Sequence, residues 1–134
     1  VSQPFALNFT PAPADIDELG HVNNAVWVRW IQDMATAHWQ AVADPVHIAA
    51  YIWVVTRHEI DYRGNVRPGE GVTGRTWIET APKGAQFDRR VDFVDASGKV
   101  IVRANTTWAM IDKATGRLAR VRPEIAAPFL PSAE

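Results

Sequence analysis

The sequence predicts an α+β domain, a curved antiparallel sheet wrapped around one long central helix, and three observations carry that expectation. From Asn24 onward, Trp27, Trp30, Ile31, Met34, His38, Ala41 and Val42 recur at helical spacing, opposite a narrow polar face of Arg29, Gln32, Asp33, Thr36 and Gln40. One short alternating stretch precedes this helix and four more follow it in succession. The links Pro82-Lys83-Gly84 and Asp95-Ala96-Ser97-Gly98 are short enough to demand antiparallel neighbours. With 134 residues and 47% hydrophobic content the chain can bury one real core, so residues 1–134 read as a single domain.

Taken in order, Phe5, Leu7 and Phe9 alternate with small or polar neighbours and form a first strand, broken by Pro11 and Pro13. The helix follows, capped by Asn23 or Asn24 after a sharp turn at Gly20. Its apolar face is wider than a surface helix needs, which suits a helix lying against a sheet. Asp44-Pro45 ends it or begins a short irregular connection that also holds His47. In the long strand from Ile52 to Arg63, the series Ile52, Val54, Thr56, His58, Ile60 and Tyr62 makes an apolar face against Arg57, Glu59, Asp61 and Arg63. Asn65 to Gly71 is a turn. Strands over 72–80, 86–96 and 99–111 complete the sheet, and the proline-rich end over 123–131 forms a short packed tail. A single sheet around one helix leaves edges uncovered; pairing those edges in a dimer would place the helix start near a subunit boundary.

Composition narrows the function. Fourteen basic and 15 acidic residues leave a formal charge of -1, so no global field holds nucleic acid or an anionic membrane. Without cysteine there are no disulfides, thiolate metal sites or cysteine nucleophile, which suits a reducing cytosol. No basic region followed by an apolar run opens the chain, and no segment has about eighteen uninterrupted apolar residues, so a soluble cytoplasmic protein is expected. No two histidines have helical metal spacing with carboxylate support; neither a metal nor a cofactor is expected. His38 and His58, on apolar faces, read as core histidines.

Chemistry concentrates between Asp15 and Asn24. Asp17 lies just upstream of a helix N-terminus, where free N–H groups and the helix dipole favour negative charge and can hold an oxyanion. A carboxylate in that position also serves commonly as a turn cap, the reading Asp15 keeps as a solvated or turn-forming residue. His21 divides between fixing the loop and taking part in turnover, and Asn23 caps and shapes the loop.

The run Asp17-x-x-Gly20-His21-Val22-Asn23-Asn24, followed by Trp27 and Trp30, resembles the start of the hotdog-fold thioesterases of the 4-hydroxybenzoyl-CoA thioesterase group. The later pieces DYRGNVRPGEGV and VIVRANTTWAMIDKATGRLARV look like that group's strand, Pro-Gly turn and closing strand. The resemblance implies a hotdog fold, a homodimer or tetramer of dimers, and hydrolysis of acyl-CoA to free acid and CoA. It also implies the roles: Asp17 as general base or nucleophile, the Asn24 backbone N–H polarising the thioester carbonyl, and His21 available to protonate the leaving sulfur or orient water. Around them Gly20, Asn23 and Trp27 would meet substrate, Trp27 standing where the group often has tyrosine. Lys83 with Arg89 or Arg90 are the expected grips on the CoA phosphates.

The pattern also resembles plant-type acyl-carrier-protein thioesterases, which carry an asparagine between the motif aspartate and histidine and a glutamate on the following strand. Leu19 and Asn65 stand at those positions here, so the simpler aspartate scheme is favoured. Acyl-carrier-protein thioesters are therefore the alternative substrate. A hotdog hydratase, which leaves the thioester intact, and a non-catalytic acyl-CoA binding protein are the rival classes.

Overall fold

The computed structural model describes residues 4–131, and the expected architecture is present. Strand β1 (Phe5–Phe9) leads through a 3-10 turn (Pro13–Asp15) to helix α1 (Asn24–Val42), followed by the short helix α2 (Pro45–Ala50). Strands β2 (Tyr51–Tyr62), β3 (Val72–Trp77), β4 (Gln86–Val94) and β5 (Val100–Asp112) then run in sequence, and helix α3 (Pro123–Ala126) precedes a closing 3-10 turn (Ala127–Phe129). The five strands form one antiparallel sheet in the order β1-β3-β4-β5-β2, leaving β1 and β2 as edges.

Helix α1 begins where the Asn23 side chain accepts the Ala25 N–H at 2.9 Å. It stops at Ala43, after which Asp44 caps α2 and Pro45 takes the first helical position, so the Asp44-Pro45 pair both ends one helix and starts another. Val22 just before α1, and Val26, Trp27, Trp30 and Ile31 along it, bury against Val91, Phe93, Ile101, Val102 and Ala104 of the sheet. Gly74 on β3 is the point of closest approach: a Cβ there would lie 2.9 Å from Met34 Sδ and 3.1 Å from carbons of Phe9 and Phe93. A second cluster at the other end joins Trp39, Ala43, Phe87 and Met110 to the chain's last segment, through Val121, Ile125 and Phe129.

Two side-chain assignments change. Ala41 and Val42, expected on the buried helix face, are exposed, whereas Trp39 turns inward and stacks on Phe129 with ring centroids 5.7 Å apart. The C-terminal segment draws the buried stripe sideways in the last turns. In β2 the expected apolar face holds only at His58 and Ile60, Tyr62 being exposed. A register shift against β5 lies between Val55 and Arg57, with Thr56 the extra residue. Such a bulge inverts the two-residue alternation, so Tyr51, Trp53 and Val55 are half-buried while Ile52, Val54 and Thr56 face solvent.

Candidate functional site

The loop before α1 is a closed structure. Asp17 N–H donates to the His21 carbonyl at 2.8 Å, Ile16 and Val22 form an antiparallel bridge, and Gly20 turns the tip with φ +75°. A residue with a Cβ would be strained at that φ. One oxygen of the half-buried Asp17 carboxylate, Oδ1, accepts the N–H groups of Leu19 (2.9 Å) and His21 (3.2 Å), which leaves Oδ2 with no partner among the described residues. Asp17 is thus both the turn cap and a carboxylate with a free oxygen.

Three anchors hold this loop to the fold. Asp15, expected to be a solvated or turn-forming residue, is turn-forming but not solvated: it is buried, and its carboxylate accepts the Ala12 N–H at 2.8 Å and pairs with Arg29 Nη2 at 3.1 Å. The Ala12 hydrogen bond first, then Arg29, hold its pKa below the ordinary carboxylate value. The Asp15 carbonyl accepts the Asn23 N–H at 2.9 Å, which sets the entry to α1. From the far side, Asn65 Oδ1 accepts the N–H groups of Val22 (3.0 Å) and Val66 (2.8 Å), and its Nδ2 donates to the Val22 carbonyl at 3.3 Å. In the sequence Asn65 is a turn residue at a position lacking glutamate; its role as a clamp on the loop rests on a contact 43 residues away along the chain.

At the helix start, the Asn23 side chain serves Ala25 and the Asn24 N–H has no partner among the described residues. Tyr62, at the end of edge strand β2, directs its hydroxyl to the Asn24 carbonyl at 3.5 Å. His21 and Asn24 are exposed. Asp17, Gly20, His21, Asn23 and Asn24 therefore share one surface loop that offers a carboxylate oxygen and a free backbone donor, the two elements needed to attack a carbonyl and steady its oxyanion.

The remaining expected substrate contacts lie elsewhere. Trp27 is wholly buried, with ring centroids 5.1 Å from both Trp30 and Phe93, and presents no surface to a ligand in this chain. Arg89 is not a solvent-facing cation: β4 alternates, so Arg89 points inward and is 6% exposed, while Arg90 lies outward near Glu79 (3.9 Å). Arg89 Nη1 meets His38 Nδ1 at 2.7 Å. His38 lies fourteen residues beyond Asn24 on α1, about 21 Å along the helix axis, far from the loop. Lys83 is exposed on the turn before β4, its N–H bonded to the Gln86 carbonyl. His58 bonds Thr106 Oγ1 at 2.9 Å and is half-buried, as a core histidine should be. Among the described residues no three His, Asp or Glu side chains group as metal ligands, and no helix is long and apolar enough to cross a membrane.

Comparison with known proteins agrees with this architecture. The chain is similar to a chloroplastic acyl-[acyl-carrier-protein] hydrolase of Cuphea viscosissima, 30% identical over 81 residues that cover 60% of this chain and 19% of that protein. A chloroplastic palmitoyl-acyl carrier protein thioesterase of Gossypium hirsutum is 32% identical over 74 residues, covering 55% of this chain and 18% of its own. The matched region thus spans about a fifth of these relatives' length. Among solved structures, an acyl-ACP thioesterase from Bacteroides thetaiotaomicron superposes with a TM-score of 0.80 at 23% identity, over 96% of this chain and 54% of that one. A Staphylococcus aureus protein in complex with CoA superposes at 0.84 with 12% identity, over 100% and 90%. These likenesses establish the hotdog fold. The family model of the acyl-ACP thioesterase N-terminal domain matches residues 3–129, in line with the second of the two resemblances. The chain therefore belongs to the acyl-ACP thioesterase N-terminal domain family.

Proposed function

We propose that this domain hydrolyses acyl thioesters to the free acid and the thiol at the loop between Asp17 and Asn24. One observation supports the reading above the others: the free Asp17 oxygen and the partnerless Asn24 N–H sit on one closed loop at the helix start, within a chain of the acyl-ACP thioesterase family. Water attacks the thioester carbon as Asp17 takes its proton, or Asp17 attacks directly and water resolves the mixed anhydride. The Asn24 N–H stabilises the oxyanion, the C–S bond breaks, and the thiolate leaves; His21, exposed on the same loop, hands it a proton that Asp17 or solvent resupplies. Gly20 and Asn23 give the loop its shape.

The family favours acyl-carrier-protein thioesters as substrate. Acyl-CoA is the second reading, favoured by the likeness to the Staphylococcus aureus protein solved with CoA. A homodimer formed through the exposed sheet edges completes the proposal, because the Tyr62 hydroxyl on edge strand β2 reaches the Asn24 carbonyl and so brings that edge to the site. Light scattering should then find a dimer or tetramer at micromolar concentration, against which a folded monomer would count.

The direct test is release of free thiol from a panel of acyl-carrier-protein and acyl-CoA thioesters. Asp17→Asn keeps an oxygen to accept the Leu19 and His21 N–H groups, so the fold should survive while turnover falls by about a thousandfold or more. Near-wild-type turnover in that variant, or no thiol release by the wild type on any thioester, overturns the assignment. A hydratase would consume substrate with the thioester intact.

A further inference from the structure

A cavity of about 270 Å³, open to solvent on one side, lies between the C-terminal half of α1 and the sheet, close to the lower end of the roughly 300–1,000 Å³ common for ligand pockets. Its walls are aromatic: Trp39, Trp53, Phe87, Trp108 and Phe129. It begins at Ala35, about 16 Å along the helix axis from Asn24.

Arg89 opens onto this cavity, and its charge is unbalanced. Only Nη1 is engaged, by His38 Nδ1 at 2.7 Å and Thr76 Oγ1 at 3.0 Å; Nη2 and Nε have no partner among the described residues. A guanidinium donates only, so His38 accepts through an unprotonated Nδ1 and both partners are neutral. Burial, then the charge of Arg89, push the His38 pKa down to about 4, which keeps it so. No carboxylate lies within ion-pair distance of Arg89 among the described residues, and none lines the cavity, whose other cation is Lys113. A buried cation without a counter-charge is unfavourable. The wall therefore offers donors and positive charge without a matching acceptor.

We propose that this cavity binds an apolar carboxylate, its anionic group on the free side of the Arg89 guanidinium and its body among the tryptophan and phenylalanine rings. The guanidinium fork matches a carboxylate in shape as well as charge. Such a ligand has two sources, the free acid that thioester hydrolysis releases or the distal carboxylate of a dicarboxylic acyl group. Only the choice between them rests on the thioesterase reading; binding itself does not.

Titrating the intact chain with octanoate, octanol and octylammonium, and following tryptophan fluorescence, tests the binding directly, since three of the six tryptophans line the cavity. Octanoate should bind wild type at least about tenfold more tightly than octanol, a difference of about 1.4 kcal/mol, and octylammonium should not bind. Arg89→Met should lower octanoate to the affinity of octanol. If that variant does not fold, thermal shift of the wild type decides: octanoate raises the melting temperature and octanol does not. Equal affinity for octanoate and octanol in wild type, or an undiminished preference in the folded variant, overturns the proposal. Rates with octanoyl and suberoyl esters of one thiol then separate the sources. Preference for suberoyl, lost in Arg89→Met, identifies the distal carboxylate; competitive inhibition by octanoate without that preference identifies the released acid.

Discussion

Replacing Asn65 by alanine probes how the loop is held without touching a group assigned to chemistry. The change removes three hydrogen bonds: those to the Val22 N–H, the Val66 N–H and the Val22 carbonyl. Val22 is 1% exposed and Val66 4%, so water replaces the lost partners poorly. Each orphaned buried group costs about 1–3 kcal/mol. With the loop free to relax, a total of about 2–4 kcal/mol is expected. At about 2.1 cal/mol/K per residue, 134 residues lose about 3.5 °C in melting temperature per kcal/mol. Asn65→Ala should therefore melt about 7–14 °C below wild type at equal protein concentration. Because the same bonds fix the loop that leads from Asp17 into α1, turnover should fall more than tenfold at temperatures where the variant is fully folded. Asn65→Asp separates donor from acceptor: it retains oxygens for Val22 and Val66 N–H but sets a carboxylate against the Val22 carbonyl, and should lie between wild type and alanine. A melting temperature and turnover unchanged in Asn65→Ala would refute the view that this clamp positions the site.

Other outcomes follow from the packing. Gly74→Ala places a methyl 2.9 Å from Met34 Sδ and 3.1 Å from two ring carbons, so it should cost about 1–3 kcal/mol by overpacking; denaturant unfolding would measure it, and an unchanged midpoint would contradict the close approach. His38, with a folded pKa of about 4 against the ordinary 6.5, binds protons more readily when unfolded. Its contribution is complete above pH 6.5 and is lost as pH falls toward 4. Melting temperature should therefore drop less between pH 7 and 5 in His38→Gln than in wild type, as calorimetry at several pH values can check. Trp27→Ala, wholly within the core, should destabilise by about 3–5 kcal/mol or prevent folding, whereas a tryptophan serving only to touch substrate would leave the melting temperature unchanged.

Local chemistry made much of this protein legible in the amino-acid order. The cap at Asn23, the Asp44-Pro45 break and the two-residue alternation of the later strands depend on neighbours within a few positions, so the elements fall close to where periodicity and turn residues put them. The tip of the loop motif from Asp17 to Asn24 is readable for the same reason: the bonds that join Asp17 to Leu19, Gly20 and His21 close within four residues. What tertiary structure decided involves partners distant in sequence. Thr56 looks like any strand residue until pairing with β5 makes it the extra one, and that bulge decides which half of β2 faces the core. Neither Arg89 nor Arg90 declares its direction until β4 is laid against α1, where one meets His38 and the other solvent. Asp15 is an ordinary turn aspartate until Arg29 of α1 comes beside it, and Asn65 an unremarked turn residue until the loop folds onto it. Periodicity determines which residues share a face, because that follows from backbone geometry alone; which face is buried, and what meets it there, depends on long-range packing.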